Sequence, residues 1–411
     1  MNWKIIRILD TYVGIPLLYL LRCFKRALHP ALHSRVRGNY DRILLIKFWG
    51  IGNLCMMLTS VRALKSAYPD TTIDLLTLES NKDAAASTGA FSQVYLIDTS
   101  GFFRFLATSL HTVKHLRSTG YDCIIDFEQF AKYSAILTAL IGAKDTVGFI
   151  TEDQHRHFLY GAPVLYDNNI HVTRSYHALV RAAGAHDRDH VQAQGSAPLF
   201  SENIQIEDGA QRLGIDSDRI VVVMHIGTSD NFKERRWPIE YYARLADLLI
   251  ARCGVQIVIT GLPEEASIGT AFMDRVQAAD KVIDTVGRLS FREFIALIRM
   301  SDLVITADTS PVHLASAMGV PVVGLYGPNT PLLYGPWGTN DLVFYQQLAC
   351  SPCITNFNAK MHVCRHPAGK GACMRMISPD AVFQGIHARY FESDSVDKLN
   401  KLQRTQPCIP S

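Results

Sequence analysis

The sequence predicts an α/β protein of two Rossmann-like domains, each a doubly wound parallel sheet covered by helices, facing one another across a cleft. Three observations carry this expectation. Short apolar runs alternate with helix-length segments, the alternation occurs twice, and a stretch from Gly161 to Ala210, richer in His, Asp and Asn, separates the two occurrences. At 411 residues the chain exceeds the usual single-domain size, and its 48% hydrophobic content suffices for two cores.

Residues 1–40 come first. The run from Ile5 to Leu21 is apolar but is broken by Arg7, Asp10, Gly14 and Pro16, and a basic flank of Arg22, Lys25, Arg26, Arg35 and Arg37 follows. It lacks the roughly 20 unbroken apolar residues of a spanning helix. Asp10 and the absence of a small-residue cleavage site after Leu21 fit a signal peptide poorly. An interfacial helix from Pro16 to about Leu28 is expected, its leucines and Tyr19 in lipid and its basic side chains at head groups. A helix packed on the first domain is the other reading.

The first domain, with its linker, occupies 41–210. Ile43 to Lys47 reads as a buried strand, Gly50-Ile-Gly-Asn as a turn, Leu54 to Ser66 as a helix and Thr72 to Leu76 as a strand. Val94 to Ile97, a helix from about Phe103 to Leu116, the strand Cys123 to Asp126, a helix around Tyr133 to Ile141 and the strand Thr146 to Phe149 complete it. Arg174 to Ala183 is the one helix expected in the stretch that follows. The second domain, 211–391, repeats the alternation from Ile220–His225 through Ile239–Cys253, Gln256–Thr260, Glu264–Ala278, Phe291–Met300, Leu303–Ile305 and Pro311–Met318 to Pro321–Leu325. Residues 392–411 form a polar tail. Open parallel sheets bind ligands outside the carboxyl ends of their strands, so that is where a site is expected.

With 41 basic and 38 acidic residues the net charge is +3, too near balance for a protein that coats nucleic acid. Anion recognition must then be local, and Asp308-Thr-Ser-Pro-Val-His-Leu supplies a place for it. The strand Leu303–Ile305 ends there, Ser310 can cap a helix with Pro311 at its first position, and Gly319 ends that helix. Free N–H groups at the helix start, with Thr309, Ser310 and His313 beside them, suit a diphosphate.

This segment, with RILLIKFWGIGNL near the start and RRWPIEYYARLADLL in the middle, resembles glycosyltransferase family 9, which includes the bacterial ADP-heptose:lipopolysaccharide heptosyltransferases. The resemblance runs from about Arg42 to Val382, and Ser310 stands where the family often has Gly. It implies the GT-B fold, with the donor mainly on the C-terminal domain and the acceptor on the N-terminal one. It implies a donor set of Thr228, Lys233, Arg235, Glu264, Leu289, Asp308, Thr309, Ser310 and His313. In that set Arg235, with Lys233 as its alternative, meets the phosphates. Glu264 accepts from the ribose, and Leu289 packs on the base. Each has an ordinary reading beside it: a surface ion pair for the cations, a helix-start carboxylate for Glu264, a core residue for Leu289.

Transfer also needs a base for the acceptor hydroxyl. The family carries Asp in the glycine turn, whereas this chain has Gly52-Asn53-Leu54, and an amide cannot accept that proton. Asn53 is therefore expected to orient the acceptor while Asp126 or Glu128 acts as base. Cys350-x-x-Cys353, with Cys364 and Cys373, has the form of a structural zinc site, for which His362 and His366 are substitutes, or else is a set of reduced thiols. No cofactor is implied for catalysis.

The expected function is thus an inverting transferase that moves a sugar, heptose first, from an ADP-heptose-like nucleotide sugar to a lipid-linked or cell-surface glycan. It would work as a peripheral protein on the cytoplasmic face of the bacterial inner membrane. The alternatives are an inactive homologue that binds nucleotide sugar or glycan, and a nucleotide-sugar epimerase of the same form.

Overall fold

The computed structural model describes residues 10–28, 38–185, 200, 212–216, 218–228, 230–338, 340–354 and 364–392. Arg35, Arg37, His362, residues 186–199 and 201–211 and the tail beyond 392 lie outside them. The chain divides into two compact units, Met1–Ser201 and Glu202–Ser411.

In the first unit, helix α1 (Gly14–Leu28) precedes β1 (Arg42–Ile46), α2 (Ile51–Ala67), β2 (Thr72–Leu78), α3 (Lys82–Thr88), β3 (Val94–Ile97) and α4 (Phe102–Thr119). Then come β4 (Tyr121–Asp126), α5 (Lys132–Ile141), β5 (Ala143–Ile150), β6 (Ala162–Leu165) and α6 (Val172–Ala182). The six strands are parallel, in the order β3-β2-β1-β4-β5-β6. β1 is buried from Ile43 onward because helices cover both faces of a doubly wound sheet, which is why it reads as an unbroken apolar run rather than an alternation. Leu44, Ile46, Leu76, Ile97, Leu116, Ile124 and Leu137 share one core cluster.

Helix α1 corrects a simple interfacial picture. Leu18 is fully buried, and Leu17 and Leu21 pack with it against Ala135, Ile136, Leu159 and Tyr160, while Tyr19 and Leu20 point outward. One leucine face is therefore core. No helix among the described residues is long and apolar enough to cross a membrane.

In the second unit β7 (Val221–His225), α7 (Ile239–Cys253), β8 (Gln256–Thr260), α8 (Ala266–Met273), β9 (Val282–Asp284) and α9 (Phe291–Met300) are followed by β10 (Leu303–Ala307), α10 (Ser310–Met318), β11 (Val322–Tyr326) and β12 (Leu342–Tyr345). Helix α11 (Pro379–Ile386) follows later and packs on α7 and β12. The sheet is again parallel, in the order β12-β11-β10-β7-β8-β9. Trp237, fully buried, donates its indole N–H to the Ile377 carbonyl at 2.9 Å and meets Tyr242 edge-on, which ties the start of α7 to the segment leading into α11.

Candidate functional site

Each sheet has one point where the chain stops winding outward and returns to the other side of its first strand. In the first unit this lies between β1 and β4, in the second between β7 and β10. Loops diverge there, leaving a crevice outside the strand ends. Most of the residues expected to carry function end or follow these four strands, whereas Glu264 and Leu289 follow β8 and β9.

After β10, the Asp308 carboxylate is buried, and Asn329 donates to its Oδ2 at 2.9 Å. Arg235 Nη1 donates to the Asp308 carbonyl at 3.0 Å and lies 3.8 Å from Oδ2. Burial pushes the Asp308 carboxyl up from its ordinary value, and Arg235 and Asn329 oppose that shift. The Asp308 side chain thus faces Asn329 and Arg235. Thr309 precedes α10 with its hydroxyl 3.0 Å from that of Thr306, and Ser310 opens the helix. His313, buried one turn on, stacks against Trp337 with ring centroids 5.8 Å apart.

After β7, the turn at Thr228 is held by a residue that sequence reasoning missed. Buried Glu265 accepts from the Thr228 N–H at 2.7 Å and from the Leu262 N–H at 2.8 Å. Arg236 Nη2 lies 3.7 Å from the same carboxylate and donates to the Thr228 carbonyl at 3.4 Å. A Cβ on Gly227 would overlap the Glu265 carboxylate, so a side chain there would displace Glu265 from this turn. Glu264, one residue earlier, is exposed, as is Lys233, and Leu289 is half-buried after β9. Of the expected donor set, Arg235, Asp308, Thr309 and Ser310 are brought together directly by contacts or chain continuity. Glu265, not Glu264, holds the Thr228 turn, and the ribose role expected of Glu264 is a separate one.

The first unit gathers a second group. Gly50 takes φ +84°, a left-handed conformation that suits glycine, and α2 starts at the next residue, so Asn53 sits in its first turn, not in an open loop. Asn53 donates to the Trp49 carbonyl at 3.2 Å and accepts from the Tyr176 hydroxyl at 3.2 Å. Glu128, which follows β4, accepts through one oxygen, Oε1, from the Phe48 and Trp49 N–H groups at 2.7 and 3.0 Å and pairs with buried Lys47 at 3.1 Å. Lys47 also donates to Gln129 at 3.2 Å, and Gln129 donates to Tyr176 at 3.0 Å. A single network thus joins Glu128, Lys47, Gln129, Tyr176 and Asn53, and Lys47, Gln129 and Tyr176 had no signal in the sequence beyond being polar within apolar runs.

Asp126 is a correction. Its side chain is fully buried, Oδ1 accepts from the Glu128 N–H at 2.9 Å, and Oδ2 accepts from Arg156 Nη2 and the Tyr160 hydroxyl, each at 2.6 Å. Burial pushes this carboxyl up while Arg156 and Tyr160 oppose it, and with three donors on two oxygens the anion is the form the geometry holds. It cannot reach an acceptor hydroxyl.

Cys350 is exposed, Cys353 and Cys373 are buried, and all four expected thiols are near enough that Cys350, Cys373 and Cys364, after burial itself, push the Cys353 thiol up to about 12. Among the described residues no three Cys, His, Asp or Glu side chains converge as a metal ion requires.

The sequence profile of glycosyltransferase family 9 (heptosyltransferase) matches residues 110–363. Lipopolysaccharide heptosyltransferase 1 of Salmonella typhimurium is 26% identical over 238 residues, which cover 56% of this chain and 68% of that protein. Among solved structures, a family 9 glycosyltransferase from Veillonella parvula superposes with a TM-score of 0.69 at 20% identity, covering 87% of this chain and 99% of that one. An E. coli heptosyltransferase solved with ADP gives 0.64 at 19% identity, covering 85% and 99%.

Proposed function

Because the chain belongs to glycosyltransferase family 9 and is a glycosyltransferase, we propose that it moves a heptose from ADP-heptose or a close nucleotide sugar to a lipopolysaccharide or other cell-surface glycan, inverting the anomeric carbon. One observation carries the donor half of this reading: Arg235 is anchored on Asp308 at the switch point of the second sheet, beside the start of α10. A guanidinium held by a buried carboxylate costs little reorganisation when a diphosphate arrives. Thr228, Thr309, Ser310 and His313 complete the phosphate side, Glu264 takes the ribose and Leu289 the base.

The acceptor half rests on Glu128. Glu128 is buried too, but its contacts to Phe48, Trp49 and Lys47 all fall on Oε1, and in this reading Oε2 takes the proton of the acceptor hydroxyl. The freed oxygen attacks the anomeric carbon, the bond from that carbon to the diphosphate breaks, and the electron pair leaves on the diphosphate, where Arg235 meets it. Asn53 orients the hydroxyl and Asp126 only supports the backbone of Glu128. The acceptor is lipid-linked, so the protein works peripherally on the inner face of the inner membrane.

Mass spectrometry of heptose-deficient lipopolysaccharide incubated with ADP-heptose and purified protein tests the whole reading, one added heptose being expected. A second reading keeps the donor site without transfer, and the amide at Asn53 favours it. Donor binding with no transfer to any acceptor would establish that reading instead.

Arg235→Ala is expected to weaken ADP binding about 10- to 100-fold, the worth of one charge-assisted phosphate contact, as read by calorimetry. Unchanged affinity would move the role to Lys233 or Arg236. Zinc held by Cys350, Cys353, Cys364 and Cys373 would serve structure alone. Metal analysis of dialysed protein decides that point, since less than stoichiometric zinc removes the site.

A further inference from the structure

Helix α4 buries Ser109, Thr112 and Leu116 and leaves a large apolar face uncovered. Phe103 is 83% exposed, Leu110 61%, Phe102 48% and Leu106 45%. Residues 103, 106 and 110 recur at helical spacing, and the same stripe continues through exposed Lys114 and Arg117. From Gly101 to Gly120 there is no acidic residue, and Arg104 adds a third exposed cation. An apolar patch of this size on a helix whose only charges are positive is the composition of a surface that meets anionic lipid.

A second set of exposed apolar residues lies at the start of the described chain. Tyr12, Val13, Tyr19 and Leu20 are exposed at and within α1, and residues 14–28 contain Arg22, Lys25 and Arg26 but no acid. The segment before α1 and the covered side of α4 meet α5 at one residue. Asp10 accepts from the Tyr133 N–H at 3.0 Å, while the Tyr133 hydroxyl contacts Ser109 of α4 at 2.6 Å and its ring lies 4.9 Å from that of Phe105. Phe102 and Phe103 also open α4 directly after β3, at the same end of the sheet as the Gly50 turn and Glu128.

We infer that α4 docks the first unit on an anionic bilayer. Phe102, Phe103, Leu106 and Leu110 enter the boundary between head groups and acyl chains, and Lys114 and Arg117 lie at the lipid phosphates. The carboxyl end of the first sheet is then carried to the membrane surface, where a lipid-linked acceptor presents its sugar. Only this last consequence rests on the transferase reading.

Flotation of the full chain with vesicles of phosphatidylcholine and phosphatidylglycerol, against phosphatidylcholine alone, tests the inference. The wild type should float with the anionic vesicles. Phe103→Ser with Leu110→Ser should lower partitioning on the order of 100-fold, and Lys114→Glu with Arg117→Glu about tenfold on anionic vesicles alone. Stabilisation by ADP should be unchanged in both, which shows an intact fold and donor site. Wild type that stays unbound, or variants that float as well as it does, overturns the inference. So does a wild-type dimer in sedimentation that Phe103→Ser with Leu110→Ser dissociates, since a second copy would then be the occupant. Flotation without heptose transfer would leave the docking surface standing and remove the transferase reading, and transfer without flotation would do the reverse.

Discussion

Glu128→Gln is expected to lower kcat by about two to four orders of magnitude while ADP binds as before, because it removes a general base and leaves the donor residues of the second unit untouched. The amide can still accept from the Phe48 and Trp49 N–H groups through its oxygen, so the turn that presents Asn53 is kept. Asn53→Ala should cost less, since Asn53 accepts from Tyr176 and donates to Trp49 and so positions without receiving a proton. Asn53→Asp in the Glu128→Gln background should restore part of the rate by placing a carboxylate where the family carries one. Normal turnover in Glu128→Gln would leave the acceptor half of the mechanism without a base in this unit and return the function to donor binding.

Arg156→Met is expected to destabilise the protein by about 3–5 kcal/mol, measured by urea titration of the first unfolding transition. Both partners of the pair are fully buried, and removing the guanidinium strands the Asp126 anion with Tyr160 and one backbone N–H as its remaining donors. Arg156 also donates to the Ala131 carbonyl at 2.9 Å and to Ser134, at the start of α5, so that helix loses its anchor to β4. Asp126→Asn should likewise act on stability first, with ADP binding to the folded fraction unaltered. A variant as stable as the wild type, but inactive, would restore Asp126 to the reaction.

These two carboxylates mark how far the sequence could be read. The sheets were legible, because strands buried on both faces appear as short unbroken apolar runs such as Ile43 to Ile46 and Val222 to Met224, separated by helix-length segments. The break after β1 and the helix after Asp308 were legible from glycine and proline, but their starts were set late: α2 already begins at Ile51, and Thr309, not Ser310, precedes α10. The roles of Asp126 and Glu128 were not, because they depend on Arg156, 30 residues away, and on Lys47, 81 residues before Glu128 and inside a strand. Glu264 and Glu265 are the same in composition and neighbours in sequence. What separates them is which one turns toward the Thr228 N–H, a tertiary fact. Strands β6 and β12 were missed because edge strands of four residues, half exposed, carry no distinctive run.

The strand order has a consequence for how the chain is made. Counted from its own first strand, each sheet runs 3-2-1-4-5-6, so in both units the strand synthesised first ends up in the middle. β1 can pair with β2 once Leu76 has emerged from the ribosome, but its other edge stays bare until Cys123 to Asp126 arrive, some 80 residues after Ile43 to Ile46. β7 waits in the same way for β10. During that interval a nascent chain displays a bare strand edge that can pair with a neighbouring strand, so slowing translation between β1 and β4 is expected to raise the aggregated share of the product, read as the pelleted fraction after synthesis.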